Sequence, residues 1–97
     1  MTGEAYLEAL SKFTTEHSIP RDIASRIRKA SEELGELSEA AVNREWQEIK
    51  TEACDLVNVA FDLLRCVSND PWAALMENLA EKDAKYKVGQ QRTEEKK

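Results

Sequence analysis

Lys29-Ala30-Ser31-Glu32-Glu33-Leu34-Gly35-Glu36-Leu37, and then Glu52-Ala53-Cys54-Asp55-Leu56 after fifteen residues beyond Glu36, decide how this chain folds. Each stretch holds two acids three residues apart, which on a helix share one face about one turn apart. Two such helices packed antiparallel bring four carboxylates together. That makes a poor core and a good holder of hard divalent cations.

Apolar periodicity surrounds both stretches. Ile23, Ile27, Ala30, Leu34, Leu37 and Ala41 form a stripe on a helix predicted over about Arg21–Asn43. Ile49, Ala53, Leu56, Val57, Ala60, Leu63 and Leu64 mark the next helix, predicted from Arg44 or Glu45 to about Val67. Before them, Tyr6, Leu7, Leu10 and Phe13 predict a helix over about Gly3–Glu16, broken at Ser18-Ile19-Pro20. After them, Asp70 as N-cap and Pro71 at the first turn open a fourth helix to about Tyr86, striped by Trp72, Leu75, Met76 and Leu79. The reading is an all-α bundle of four helices over residues 1–88, with a polar, disordered tail over residues 89–97.

The chain has 97 residues, 41% hydrophobic and 34% charged, which is one small helix-rich domain. A chain this short buries a modest core, so oligomerisation is expected to complete it. A net charge of -5 speaks against a nucleic-acid surface, which needs a basic stripe. No signal peptide and no membrane-length apolar run are visible, so a cytoplasmic protein without a membrane partner is expected. Cys54 and Cys66, 12 residues apart on one helix, are too distant to pair and read as small buried hydrophobes. There is no glycine-rich nucleotide loop.

Nineteen acids in 97 residues give roughly four such pairs by chance, so spacing alone carries little. The setting carries more. The third helix is apolar nearly all round from Ala53 to Leu64, and Glu52, Asp55, Asn58 and Asp62 fall on it. A buried carboxylate without a partner costs several kcal/mol. No basic residue lies on that helix between Lys50 and Arg65, so Lys29 or a metal must supply the positive charge. Gly35, mid-helix, implies close approach of another helix or a ligand.

With its leading lysine, order and spacer, this pattern resembles the MazG family of all-α nucleoside triphosphate pyrophosphohydrolases, over roughly residues 21–88. The resemblance implies a bundle completed as a homodimer or homotetramer, with a nucleoside triphosphate as substrate. It implies hydrolysis to the monophosphate and diphosphate, in the service of nucleotide-pool cleansing or biasing. It makes Glu33, Glu36, Glu52 and Asp55 the ligands of Mg2+, with Mn2+ as a substitute. Such an ion holds phosphate oxygens and orients a water, whose proton goes to a nearby carboxylate, Glu36 or Glu32. Lys29, Lys82 and Lys85 are candidates for the phosphates. Asn58 and Asp62 are candidates for sugar and base. Asp62 departs from relatives that carry Asn there.

Trp46, placed in the loop between the motif helices, is a candidate pocket or interface residue. Trp72, Tyr6, Phe13 and His17 are also able to stack on a base, but Trp72, Tyr6 and Phe13 fit the core pattern better and His17 the surface. Two other readings compete. One is a non-catalytic helical interaction module that retains the fold. The other is a carboxylate-bridged di-iron bundle, which a single histidine, His17, disfavours.

Overall fold

Three of the four helices open on a side-chain cap. The computed structural model describes the backbone of residues 2–95 and the side chains of residues 2–89. α1 (Gly3–Glu16) starts where Thr2 Oγ1 accepts from Ala5 N at 3.1 Å. α2 (Ile23–Val42) starts where Asp22 Oδ1 accepts from Ser25 N at 2.8 Å. α4 (Pro71–Glu95) starts where Asp70 Oδ1 accepts from Ala73 N at 3.0 Å, with Pro71 at its first turn as expected. α3 (Trp46–Val67) has no such cap. Among the described residues there is no strand, and no helix is long and apolar enough to cross a membrane.

Two tight turns fix the order of packing. At the end of α1, Ile19 N bonds to Thr14 O and Ser18 N to Thr15 O; at the end of α2, Glu45 N bonds to Ala40 O and Arg44 N to Ala41 O. Both are Schellman closures, which place the residue after the cap in the left-handed region. Ser18 (φ 51°) and Arg44 (φ 54°) occupy those positions. This is why α3 begins at Trp46 rather than at Arg44 or Glu45. The α2–α3 turn folds the two acid helices back against each other, and this is the most extensive helix pair in the molecule.

α1 lies across α3 and the start of α4 through an aromatic cluster. Tyr6 meets Phe61 edge-on at 5.2 Å and Trp72 at 6.0 Å between ring centroids. Trp72 Nε1 also donates to Gly3 O at 3.1 Å. Leu10, Ala40 and Phe61 are the buried hydrophobic residues among those described.

Several expectations of burial are overturned. On α2 the residues turned inward are Arg26, Glu33 and Ala40, seven apart, whereas Ile27 and Leu34 are 51% and 53% exposed. Val57 on α3 and Met76 and Leu79 on α4 are exposed as well. Charged groups, not the apolar stripe, fill the seam between α2 and α3, so the stripe is left facing outward. Cys54 is exposed rather than buried, and Cys66 is half-buried with Sγ on Arg21 O at 3.3 Å. α4 runs past Tyr86 to Glu95, so the helix backbone occupies most of the expected tail. No proline interrupts it, and its Gln, Arg and Glu residues favour helix. The tail's last two residues, 96 and 97, lie outside the described residues.

The radius of gyration is 17.2 Å, against about 13 Å for a compact chain of this length. The 25-residue α4 accounts for much of that extension.

Gly35 meets nothing within 4 Å of where a Cβ would stand, so no other helix among the described residues packs against it in the single chain. Gly35→Ala should therefore raise stability by roughly 0.5–1 kcal/mol through helix propensity alone. Urea unfolding of the variant reads this directly, and a loss of stability would mean that something packs there.

Candidate metal centre

Glu33 and Glu36 share the α2 face one turn apart, and the α2–α3 turn brings Glu52 opposite them. The three carboxylates place oxygens within 4.8 Å of one another. Glu33 is 5% exposed, Glu52 is half-buried and Glu36 is exposed. Glu33 Oε2 and Glu52 Oε2 are buried with no hydrogen-bond partner. Buried oxygens of that kind, converging from two helices, suit a hard divalent cation.

Lys29 supplies part of the missing charge. Its Nζ lies 3.1 Å from Glu33 Oε1 and 3.6 Å from Glu32 Oε2. The hydrogen bond to Glu33 and that residue's charge hold the Lys29 ammonium above its ordinary pKa. One lysine does not neutralise the group. The Glu52 carboxyl is pushed up to about 7, first by burial, then by its hydrogen bond to Glu36 and by the charges of Glu36 and Asp55. Asp55 is thus close enough to repel Glu52, but it stands outside the group of three. It lines, with Glu33 and Lys29, a cavity of about 470 Å³ between α1, α2 and α3. That volume is in the range of small-molecule sites.

The other sequence candidates are divided. Asn58 borders the cavity, and its Oδ1 accepts from the Tyr6 hydroxyl at 2.6 Å. Asp62 also borders it but is 1% exposed and ringed by arginines: Arg65 Nη2 at 3.0 Å, Arg26 Nη1 at 3.8 Å and Arg21 Nε at 4.0 Å. The charge on α3 that called for a metal or Lys29 is, at Asp62, met by guanidinium groups instead. Spacing could have shown this. Arg26 is seven residues before Glu33 and so on its face, and Arg65 is one turn after Asp62.

Glu32 is exposed and paired with Lys29, away from the three carboxylates. Trp46 is the first residue of α3 rather than a loop residue, and is 74% exposed. Lys82 and Lys85 are exposed on α4 and do not line the cavity. His17 is exposed, its ring 4.7 Å from that of Phe13. Glu36 and Glu52 do not line that cavity but a smaller cleft of about 180 Å³, together with Glu39, Asn43, Glu45 and Glu48, which sequence reading passed over.

A carboxyl raised from 4.5 to about 7 keeps in the folded state a proton that the unfolded chain has already released. The metal-free protein should therefore lose stability as pH climbs through that interval. Glu52→Gln should flatten this part of the profile. Denaturant midpoints measured in chelator across the interval test it, and identical wild-type and variant slopes would refute the assignment.

Residues 5–83 match the family described as phosphoribosyl-ATP pyrophosphohydrolase. No curated protein and no solved structure matches the chain. The match spans most of α1, both acid helices and the first half of α4, and so takes in every residue of the carboxylate group. This family lies within the MazG-like all-α superfamily, which the acid pairs had suggested. The chain belongs to the phosphoribosyl-ATP pyrophosphohydrolase family, whose members are hydrolases acting on acid anhydrides.

Proposed function

We propose that this chain hydrolyses the α–β anhydride of a nucleotide bearing a triphosphate, a nucleoside triphosphate or phosphoribosyl-ATP, releasing diphosphate. The observation that carries this reading is the group of Glu33, Glu36 and Glu52, with two orphaned buried oxygens, which Glu33 joins to a nucleotide-sized cavity that Asp55 and Lys29 also line.

Those three side chains, with Asp55 as a fourth, would hold Mg2+, for which Mn2+ could substitute. When bound, that ion supplies charge neutralisation for the phosphates and acidifies a water. The chain's own residues do the rest. Glu36 is the exposed member of the group and has no salt-bridge partner among the described residues, so it is placed to take the proton from the attacking water. Glu32, tied to Lys29, is a poorer base. The water oxygen bonds to the α-phosphorus, the bridging α–β bond breaks, and diphosphate leaves with that electron pair. Lys29 holds Glu33 in orientation and lies within reach of a phosphate oxygen on the cavity wall. Asn58 and Tyr6 form the polar wall for sugar or base. With Lys82 and Lys85 outside the cavity, phosphate contacts in this reading fall to Lys29.

We further propose that the working form is a homodimer. The outward rows of Ile23, Ile27 and Leu34 on α2, with Val57 on α3, offer a second copy the apolar surface that one chain leaves uncovered.

Diphosphate release measured over a panel of (d)NTPs and phosphoribosyl-ATP with Mg2+ tests the activity. Glu36→Gln and Glu52→Gln should each lower it by at least about a hundredfold, and Mg2+ should raise the melting temperature of wild type only. No turnover of any substrate at high enzyme concentration would sink the reading. Leu34→Asp should convert a dimer to monomer in light scattering after gel filtration, and a monomeric wild type would remove the dimer.

A further inference from the structure

Six buried side-chain atoms among the described residues have no hydrogen-bond partner, and they fall into two groups. Glu33 Oε2 and Glu52 Oε2 belong to the carboxylate group. Arg26 Nε, Arg65 Nε and both oxygens of Asp62 form the other group, and it has no part in the hydrolysis. Glu33 and Arg26, two turns apart on one face of α2, carry the two groups onto the wall of the same cavity.

The charge in the second group does not balance. Arg26 and Arg65 have side chains 9% and 10% exposed, and they share one buried carboxylate, Asp62. Arg21 is 47% exposed, so water compensates it. Arg65 is closest to Asp62 and also donates to Thr14 Oγ1 at 3.4 Å. Arg26 has only a long contact to Asp62 and one at 3.5 Å to Ser25 Oγ. One buried guanidinium is left over, and a buried charge without a counterion is strongly unfavourable. Arg26 is also the arginine that borders the cavity.

We infer that Arg26 forms an anion subsite at the end of the α1–α2–α3 cavity away from the carboxylate group, taking a phosphate group by charge-assisted hydrogen bonds. That phosphate has two sources. It is a second phosphate on the substrate, remote from the triphosphate, or it is free inorganic phosphate. The substrate source rests on the proposed pyrophosphohydrolase activity, whereas phosphate binding does not.

The test begins without metal or turnover. Inorganic phosphate titrated in chelator should raise the melting temperature saturably, whereas chloride at matched ionic strength should not. Arg26→Met should abolish that rise. It should also leave the protein no less stable without phosphate, because Asp62 keeps Arg65 and Arg21. Should that variant fail to fold, Arg26→Lys keeps the charge, loses the planar fork and should show a weakened phosphate response.

An absent or non-saturable response in wild type would mean that water alone fills the subsite, and would overturn the inference. So would an undiminished response in both variants. The KM ratio between ATP and phosphoribosyl-ATP then separates the sources. Preference for the doubly phosphorylated nucleotide, reduced about tenfold by Arg26→Met, identifies the substrate's phosphate. An unchanged ratio beside a retained phosphate response identifies free phosphate and overturns the substrate source. Activity absent altogether, with the phosphate response intact, would refute the hydrolase and not the subsite.

Discussion

The packing of charged side chains between α2 and α3 is the constraint on which the rest of this structure depends. Arg26, Glu33 and Ala40 form the inward face of α2, where an ordinary helical hairpin would place leucine and isoleucine. Charges in such a seam must be compensated locally, because desolvation outweighs what a single imperfect pair returns. Asp62 is compensated by three arginines. Glu33 is compensated in part by Lys29, and its remaining charge faces two further carboxylates that could together hold a cation.

That choice of face has a consequence on the outside. With the seam given to charge, the isoleucines and leucine of α2 face solvent, and few hydrophobic residues are buried in one chain. A helical domain of this size has little core to spare. The carboxylate group and the outward apolar rows thus have one origin. The buried charged residues of the seam occupy positions that hydrophobic side chains fill in an ordinary helical core.

The two ends of the cavity are linked through α2. Glu33 and Arg26 stand two turns apart on one face of one helix, and α1 closes the space above them through Tyr6, Leu10 and Phe13. The Tyr6 hydroxyl bonded to Asn58 ties α1 to α3 at this wall, and the Trp72–Gly3 bond ties it to the start of α4. α1 is therefore both part of the aromatic core and one side of the cavity, which couples its packing to what the cavity admits.

The sequence by itself determined the helices and the meeting of Glu33, Glu36 and Glu52, while Asp55, expected with them, stands outside the group. Apolar spacing, the Asp70-Pro71 start signal and acids three residues apart are local properties, set by helix geometry and by caps that lie within a few residues of what they cap. The antiparallel return followed from them. Tertiary structure decided which face of each helix turned inward. Periodicity marks a stripe as apolar, but it does not say whether the chain's own core or another copy covers it. The same holds for Asp62. Its partners come from α2, from the segment before it and from the next turn of α3, so only packing could show that arginines, rather than a metal, answer its charge. Trp46, Lys82 and Lys85 lie outside the cavity for the same reason. Their positions depend on where the turn after α2 ends and on the direction α4 takes, and neither is encoded in local spacing.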